Sequence, residues 1–393
     1  MKKFVNNSVR LDNGTTLTVD KKLVFATPGD KDSKCTFSYP TMVCLAHNGE
    51  NNRTLVAAHA TLYGAFDDNG YKIYKSYDNG DSWTFISKAI DDHTAYASES
   101  VLQPCLFELP VDMGDFKEGT LFLGGCSRGT LPDKSPMSAM VLYYSTDLGN
   151  SWKAYHTLAV GGGAVECEGV WEPFFIYEEE SGRVYCFYSD ETNASGTKNG
   201  PKAQELVYKY TTDMKNWSDV QVAMSCNDKE NMRPGMIAIS KTPVGYIMTY
   251  ELVGLAGSPT YCKIVDRLDD WGDLADVGFP IVTDDNKTMG TAPWSAWTPA
   301  GGENGLLFSV ANHMIECEAI DGTGTDMFVS FDYGKTNVAI ENPSTFVQNR
   351  KNKLSYSSYI GFSEDGYTMY YMNSINLGPD NTQIEFVRIK ITD

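Results

Sequence analysis

Short apolar runs recur along the chain, and most carry a proline near their start. The fullest is Val170-Trp171-Glu172-Pro173-Phe174-Phe175-Ile176-Tyr177. Tyr39-Pro40-Thr41-Met42-Val43, Gln103-Pro104-Cys105-Leu106-Phe107, Arg233-Pro234-Gly235-Met236-Ile237 and Ala292-Pro293-Trp294-Ser295-Ala296 repeat its form, and a proline-free version begins near Tyr356. The proline intervals are 104−40 = 64, 173−104 = 69, 234−173 = 61 and 293−234 = 59, with Tyr356 lying 63 beyond Pro293. Such a period marks a repeat architecture. A second apolar run follows each marked one: Thr54 to His59, Leu121 to Gly125, Val184 to Asp190, Tyr246 to Glu251, Leu306 to His313 and Tyr367 to Asn373. Each repeat therefore reads as four short strands.

The third strand of a repeat runs into a turn of the form Ser-x-Asp-x-Gly-x-Ser/Thr-Trp. Ser76 to Trp83 and Ser145 to Trp152 are full copies, Ser330 to Asn337 lacks the Trp, and Thr212-Asp213 with Trp217 and Asp266 with Trp271 are degenerate ones. The Asp side chain can bond turn amides, glycine supplies a positive φ, and Trp packs between strands. These turns resemble the Asp boxes of sialidase-like propellers, where their role is structural. The sixth repeat has three strands and stops, so a strand near the N-terminus, Lys22 to Ala26, is expected to supply the fourth and leave no open edge. The expected fold is all-β: a single six-bladed β-propeller over 1–393, with blades starting near 38, 102, 171, 232, 291 and 355.

Composition agrees with many short strands: aromatic residues make up 12% of the chain, with 23 Tyr and 35 Gly. Net charge is 32−51 = −19, which disfavours nucleic acid or an anionic membrane surface as partner. Nine Cys without a CxxC pair read as reduced thiols rather than zinc ligands or a disulfide framework. No His/Asp/Glu group has metal spacing, so no metal and no cofactor is expected. Met1-Lys2-Lys3 is followed by no apolar core, so a cytoplasmic protein is expected, or a secreted one if the chain is a mature form. A monomer is expected.

Strand direction sorts residues between the two faces of a propeller. Starts of first strands and ends of second strands share one face, which gathers Tyr39, Gln103, Glu172, Arg233, Ala292 and Tyr356 with His59, Arg128, Asp190, Glu191, Glu251, His313 and Asn373. Glu172 and Glu251 are then a candidate carboxylate pair for glycoside cleavage, or else two solvated rim residues. Trp171, Trp294 and Trp297 could stack on a sugar or pack between blades. His59 and His313 read equally as ligand contacts or core histidines. Gly161-Gly162-Gly163, ahead of Glu166 and Glu168, reads as a loop over this face.

Trp171-Glu172-Pro173-Phe174-Phe175, Tyr188-Ser189-Asp190-Glu191, Gln204-Glu205-Leu206-Val207, Arg233-Pro234-Gly235-Met236 and Tyr250-Glu251 resemble, in that order, the central blades of glycoside hydrolase family 93. The resemblance implies a retaining exo-α-L-arabinanase that releases arabinobiose from 1,5-linked arabinan. It implies Glu172 as nucleophile and Glu251 as acid/base, with Arg233 and Asp190 orienting sugar hydroxyls or the carboxylates themselves; Tyr39, Gln103, Arg128, Trp171, Trp294, His313 and Tyr356, placed on the same face by strand direction, are the further substrate-binding candidates. Tyr39-Pro40-Thr41 departs from the pattern where an arginine is expected after the proline. A sialidase is the competing enzyme, but Ser38 stands where its first carboxylate-binding arginine belongs. A propeller that binds glycan without cutting it is the non-enzyme alternative.

Overall fold

The computed structural model describes residues 1–27, 35–63, 70–92, 98–131, 133–162, 168–192, 203–229, 232–316, 319–321, 326–344, 357–378 and 381–393. The chain is an all-β, six-bladed β-propeller. A single 3-10 turn, Gly49–Asn51, is the one helix among the described residues, and no helix there is long and apolar enough to cross a membrane. The residues group into two compact units: Thr41–Ile237 with Leu268–Asp276, and Met1–Pro40 with Ala238–Arg267 and Val277–Asp393.

The first unit holds most of blades one to three. Blade one is Cys35–Cys44, Leu55–Tyr63, Gly70–Ser76 and Thr84–Ile90, and blade two is Ser98–Glu108, Leu121–Thr130, Pro136–Ser145 and Lys153–Gly162. Blade three is Val170–Glu178, Arg183–Asp190, Glu205–Thr211 and Gln221–Ser225. Two apolar layers hold them together, one of Val56, Ile73, Leu123 and Val141, the other of Leu102, Leu142, Val184 and Val207. Second strands are covered on both faces, which is why Val184 to Asp190 is continuously buried rather than alternating. Gly124 and Gly125 show how neighbouring blades interlock, since consecutive strand residues point to opposite faces. A Cβ on Gly124 would lie 2.7 Å from the Phe175 ring of blade three, and one on Gly125 would lie 2.0 Å from the Tyr71 hydroxyl of blade one. Tyr71 uses that space to donate to the Leu102 carbonyl at 2.8 Å.

The second unit holds blades four to six. Blade four continues through Gly245–Val253, Thr260–Val265 and Phe279–Pro280; blade five is Trp294–Thr298, Leu306–Val310, Met327–Ser330 and Val338–Ile340. His313 lies outside blade five, opening a separate small sheet in which His313–Glu316 pairs with Thr288–Gly290 and Ala319–Asp321. Blade six is Ser358–Phe362, Thr368–Gly378 and Asn381–Thr392, completed on its outer edge by Thr16–Ala26. That strand is longer than the expected Lys22 to Ala26, running antiparallel from Thr16↔Thr392 to Ala26↔Ile384. Ser8–Arg10 adds a further strand outside it, and Lys2 bonds the Ala339 carbonyl at 3.0 Å. The N-terminus is therefore tied down from Lys2 onward.

The Ser-x-Asp-x-Gly turns are built by their own side chains. Asp78 accepts from the Ser82 amide at 2.8 Å and hydroxyl at 2.5 Å, and Ser76 accepts from the Gly80 amide at 2.7 Å. The Ser82 hydroxyl and amide and the Ser76 hydroxyl pull the Asp78 carboxyl down to about 2. Asp147, Asp332 and the degenerate Asp213 make matching bonds. Among the described residues six cysteines form no disulfide, five of them buried, and burial pushes Cys105 up to about 12.

Candidate active site

Each blade opens with a non-glycine residue in the left-handed region: Tyr39 at φ 49°, Gln103 at 52°, Glu172 at 63°, Met236 at 43°, Ala292 at 50° and Ser357 at 64°. Four of the six precede the proline of the repeat. In blade four the position falls on Met236, after Pro234, so Arg233 is offset from the place the proline spacing assigns it. Where the ladder is described, the cause is a bulge: pairing skips from Trp171 to Phe174 and from Leu102 to Cys105. A bulky residue in this region costs roughly 1–3 kcal/mol, which surrounding contacts must offset.

What the bulge provides is an inward-facing amide. Met236 N–H donates to Glu172 Oε2 at 2.8 Å, Glu172 N–H donates to Gln103 Oε1 at 3.2 Å, and Ala292 N–H donates to Glu251 Oε2 at 3.2 Å. The Ser189 hydroxyl adds a donor to Glu172 Oε2 at 3.1 Å, and Gln103 Nε2 reaches Oε1 at 3.3 Å. Donors therefore converge on both Glu172 oxygens. Burial nevertheless dominates and pushes the carboxyl up to about 7; the Ser189 and Met236 bonds oppose it, Glu191 adds to it, and Arg233 lowers it. As a residue Glu172 is only half-buried, so its carboxyl is packed among protein atoms while some solvent contact remains.

Beside Glu172 lies a second polar cluster in the same unit. Glu191, 5% exposed, accepts from the Gly169 amide at 3.1 Å and the Trp171 indole N–H at 3.0 Å, and forms an ion pair with Arg233. Arg233 also donates to Gln204 Oε1 at 2.9 Å, and Gln204 Nε2 donates to the Pro234 carbonyl at 2.7 Å. Arg128 stacks over the Trp171 ring, 5.9 Å from its centre. A Cβ on Gly169 would fall 2.0 Å from that ring, so the glycine is what lets Trp171 lie flat on the backbone. Asp190 turns its carboxylate to the Thr192 amide and hydroxyl at 2.7 and 2.6 Å.

The first unit thus brings together Glu172, Gln103, Trp171, Arg128 and Arg233, with Asp190 engaged at the edge. Glu191, which strand direction had put on this face, belongs to the same network, and so do Ser189 and Gln204, which reasoning from sequence did not select. Their signal was present in the Tyr188-Ser189-Asp190-Glu191 and Gln204-Glu205 runs, but only geometry shows which side chains turn inward. In the second unit Glu251 is buried and takes the Ala292 amide. Tyr39 holds the left-handed start of blade one, and His313 lies 3.0 Å from the Gly257 carbonyl through Nε2. Trp294 packs at a tilt against Tyr359, ring centres 5.2 Å apart, and donates its indole N–H to the Ile360 carbonyl at 2.9 Å, a packing arrangement between blades five and six. Tyr356, Gly163 and Glu166 lie outside the described residues. Among the described residues no group of His, Cys, Asp and Glu is arranged to hold a metal ion.

No family model matches the chain, and no curated protein matches it in sequence. Solved structures do. A GH93 α-L-arabinofuranosidase of Fusarium graminearum in complex with arabinobiose is 25% identical at a TM-score of 0.74, over 94% of this chain and 97% of that one. A Penicillium chrysogenum α-L-arabinanase complexed with arabinobiose is 26% identical at 0.74, over 95% and 98%. A microbial sialidase at 13% identity and a TM-score of 0.55, over 90% and 66%, shares the fold alone. The chain is a GH93-like protein on the sialidase fold, similar along nearly its whole length to an α-L-arabinofuranosidase and an α-L-arabinanase that were solved with arabinobiose.

Proposed function

We propose that the protein is a retaining exo-glycoside hydrolase that releases arabinobiose from linear 1,5-α-arabinan, with Glu172 and Glu251 as its two carboxyls and no cofactor. The observation that carries this reading is the Glu172 site: a carboxyl on a left-handed bulge, bonded by the Ser189 hydroxyl and the Met236 amide. A retaining mechanism needs one carboxylate to attack the anomeric carbon, releasing the leaving sugar with a proton from the other carboxyl; water then cleaves the glycosyl-enzyme. Glu172 fits the attacking role because its donors favour the ionised form and orient one lone pair, and Glu251 then supplies the proton. Gln103, Trp171, Arg128 and Arg233 are the side chains proposed to meet the sugar from the Glu172 side. Asp190, Tyr39, Trp294, His313 and Tyr356 complete the proposed substrate set.

A carboxyl titrating at about 7 also suits a proton donor, so the roles are assigned by experiment. With azide and an activated arabinoside, Glu172→Ala should give the glycosyl azide of inverted configuration if Glu172 is the nucleophile, and of retained configuration if it is the acid/base. The test of the overall reading is incubation with linear 1,5-α-arabinan and chromatography over time. Arabinobiose accumulating alone from the start supports it; a ladder of products, or none, refutes it. Ser38 is fully buried and brings no cation to the place where a sialidase holds its substrate carboxylate, so the sialidase reading gains nothing.

A further inference from the structure

We propose that Glu191 is a positioning residue for Glu172: by clamping Trp171 and binding Arg233 it keeps that cation from pairing directly with the reacting carboxylate. The inference rests on the reading of Glu172 as a reacting group. Three observations carry it. Glu191 bonds both the Gly169 amide and the Trp171 indole, and its own amide donates to the Gly169 carbonyl at 3.0 Å, so it fixes the chain entering Glu172 from both directions. Arg233 is held by Glu191 and Gln204, while its Nε is buried without a partner among the described residues. Glu172 is meanwhile served by a hydroxyl, an amide N–H and a carboxamide, donors that orient it without neutralising it.

The reason such a device is useful is chemical. A carboxylate in a bidentate pair with a guanidinium is both stabilised and blocked, which makes it a poor nucleophile. Diverting Arg233 onto Glu191 leaves a nearly neutral pair next to Glu172. Among the described residues, the charged and titratable groups facing the cluster from the surrounding strands are few. Arg128 lies over Trp171, Cys126 senses the charge of Glu172, Asp190 is bonded to Thr192, and Glu205 accepts from Asn227 at 2.8 Å. None of these interposes between Arg233 and Glu191.

The test is a carboxyl ¹³C titration of the full-length protein labelled at glutamate, with the Glu172 signal assigned by its absence from Glu172→Gln. Glu191→Gln releases Arg233 and should lower the Glu172 midpoint by about one pH unit, whereas Arg233→Met leaves Glu191 uncompensated and should raise it by about as much. The double variant should return it close to the starting value. On arabinan, the acid limb of kcat/KM should move with the same sign in each variant. Loss of kcat with an unmoved titration in both single variants would mean a merely structural role and overturn the inference. If Glu191→Gln does not fold, the Arg233→Met titration decides alone. Titrations that shift as stated in a protein that leaves arabinan untouched would support the positioning role and reject the substrate instead.

Discussion

Replacing Glu172 by glutamine should abolish turnover and yet stabilise the protein above neutral pH. In the unfolded chain the carboxyl ionises at its ordinary 4.5, in the folded protein at about 7. Between those values the folded state holds a proton that the unfolded state has lost, so stability falls as pH rises. The group's contribution is intact below about 4.5 and fully lost once pH passes about 7. At 1.36 kcal/mol per pH unit, the gap corresponds to ~3 kcal/mol, an upper figure because Glu172 keeps some solvent contact. Glutamine carries no charge to desolvate, and its carbonyl can still accept from Ser189 and Met236. The amide end would face Gln103, and losing that 3.3 Å contact costs about 1 kcal/mol at every pH. Urea denaturation of both proteins at about pH 5.5 and 8.5 should therefore show the variant gaining roughly 2 kcal/mol relative to wild type between the two conditions. A stability difference independent of pH would refute the premise that burial holds this carboxyl neutral.

Other perturbations probe separate parts of the structure. Gly125→Ala should cost about 3 kcal/mol by driving into the Tyr71 hydroxyl and its buried bonds, and adding Tyr71→Phe should recover part of it; urea denaturation measures both. Removing residues 1–26 strips the outer strand from blade six and should leave the rest aggregating or unfolded at room temperature, visible as lost near-ultraviolet circular dichroism. Gly169→Ala should displace the Trp171 ring and lower kcat/KM on arabinan by ten-fold or more, with a smaller change in melting temperature. Glu251→Gln should reduce kcat on arabinan by several orders of magnitude.

The blades were legible because packing between neighbouring sheets demands apolar runs at a fixed spacing, and the turns because Asp, Ser and Gly do local work that needs no tertiary partner. The left-handed blade openings were not, since Tyr39, Gln103, Glu172, Met236, Ala292 and Ser357 share no side-chain chemistry. Proline next to the bulge served as a proxy, and it failed in blade four, where Pro234 precedes Met236. Glu172 stood out as the one carboxylate before a proline in the repeat. Glu191 did not, because its role depends on Arg233 arriving from the next blade and on Trp171 folding back over Gly169. Trp294 illustrates the converse: it stands beside the proline of its repeat and was a stacking candidate, but Tyr359 and the Ile360 carbonyl occupy it.

The outer strand of blade six also says something about how the chain comes to be folded. Thr16 waits for Thr392, a partner synthesised 392−16 = 376 residues later. Until that partner emerges, the segment Thr16–Ala26 has only the short Ser8–Arg10 strand to pair with and leaves its other edge open, the kind of edge on which chains adhere to one another. Its middle carries Asp20, Lys21 and Lys22, and after docking Asp20 accepts from Arg388 at 2.9 Å while Lys22 reaches the Pro343 carbonyl at 3.0 Å. The same charges that lock the finished blade thus keep the nascent strand soluble while it waits.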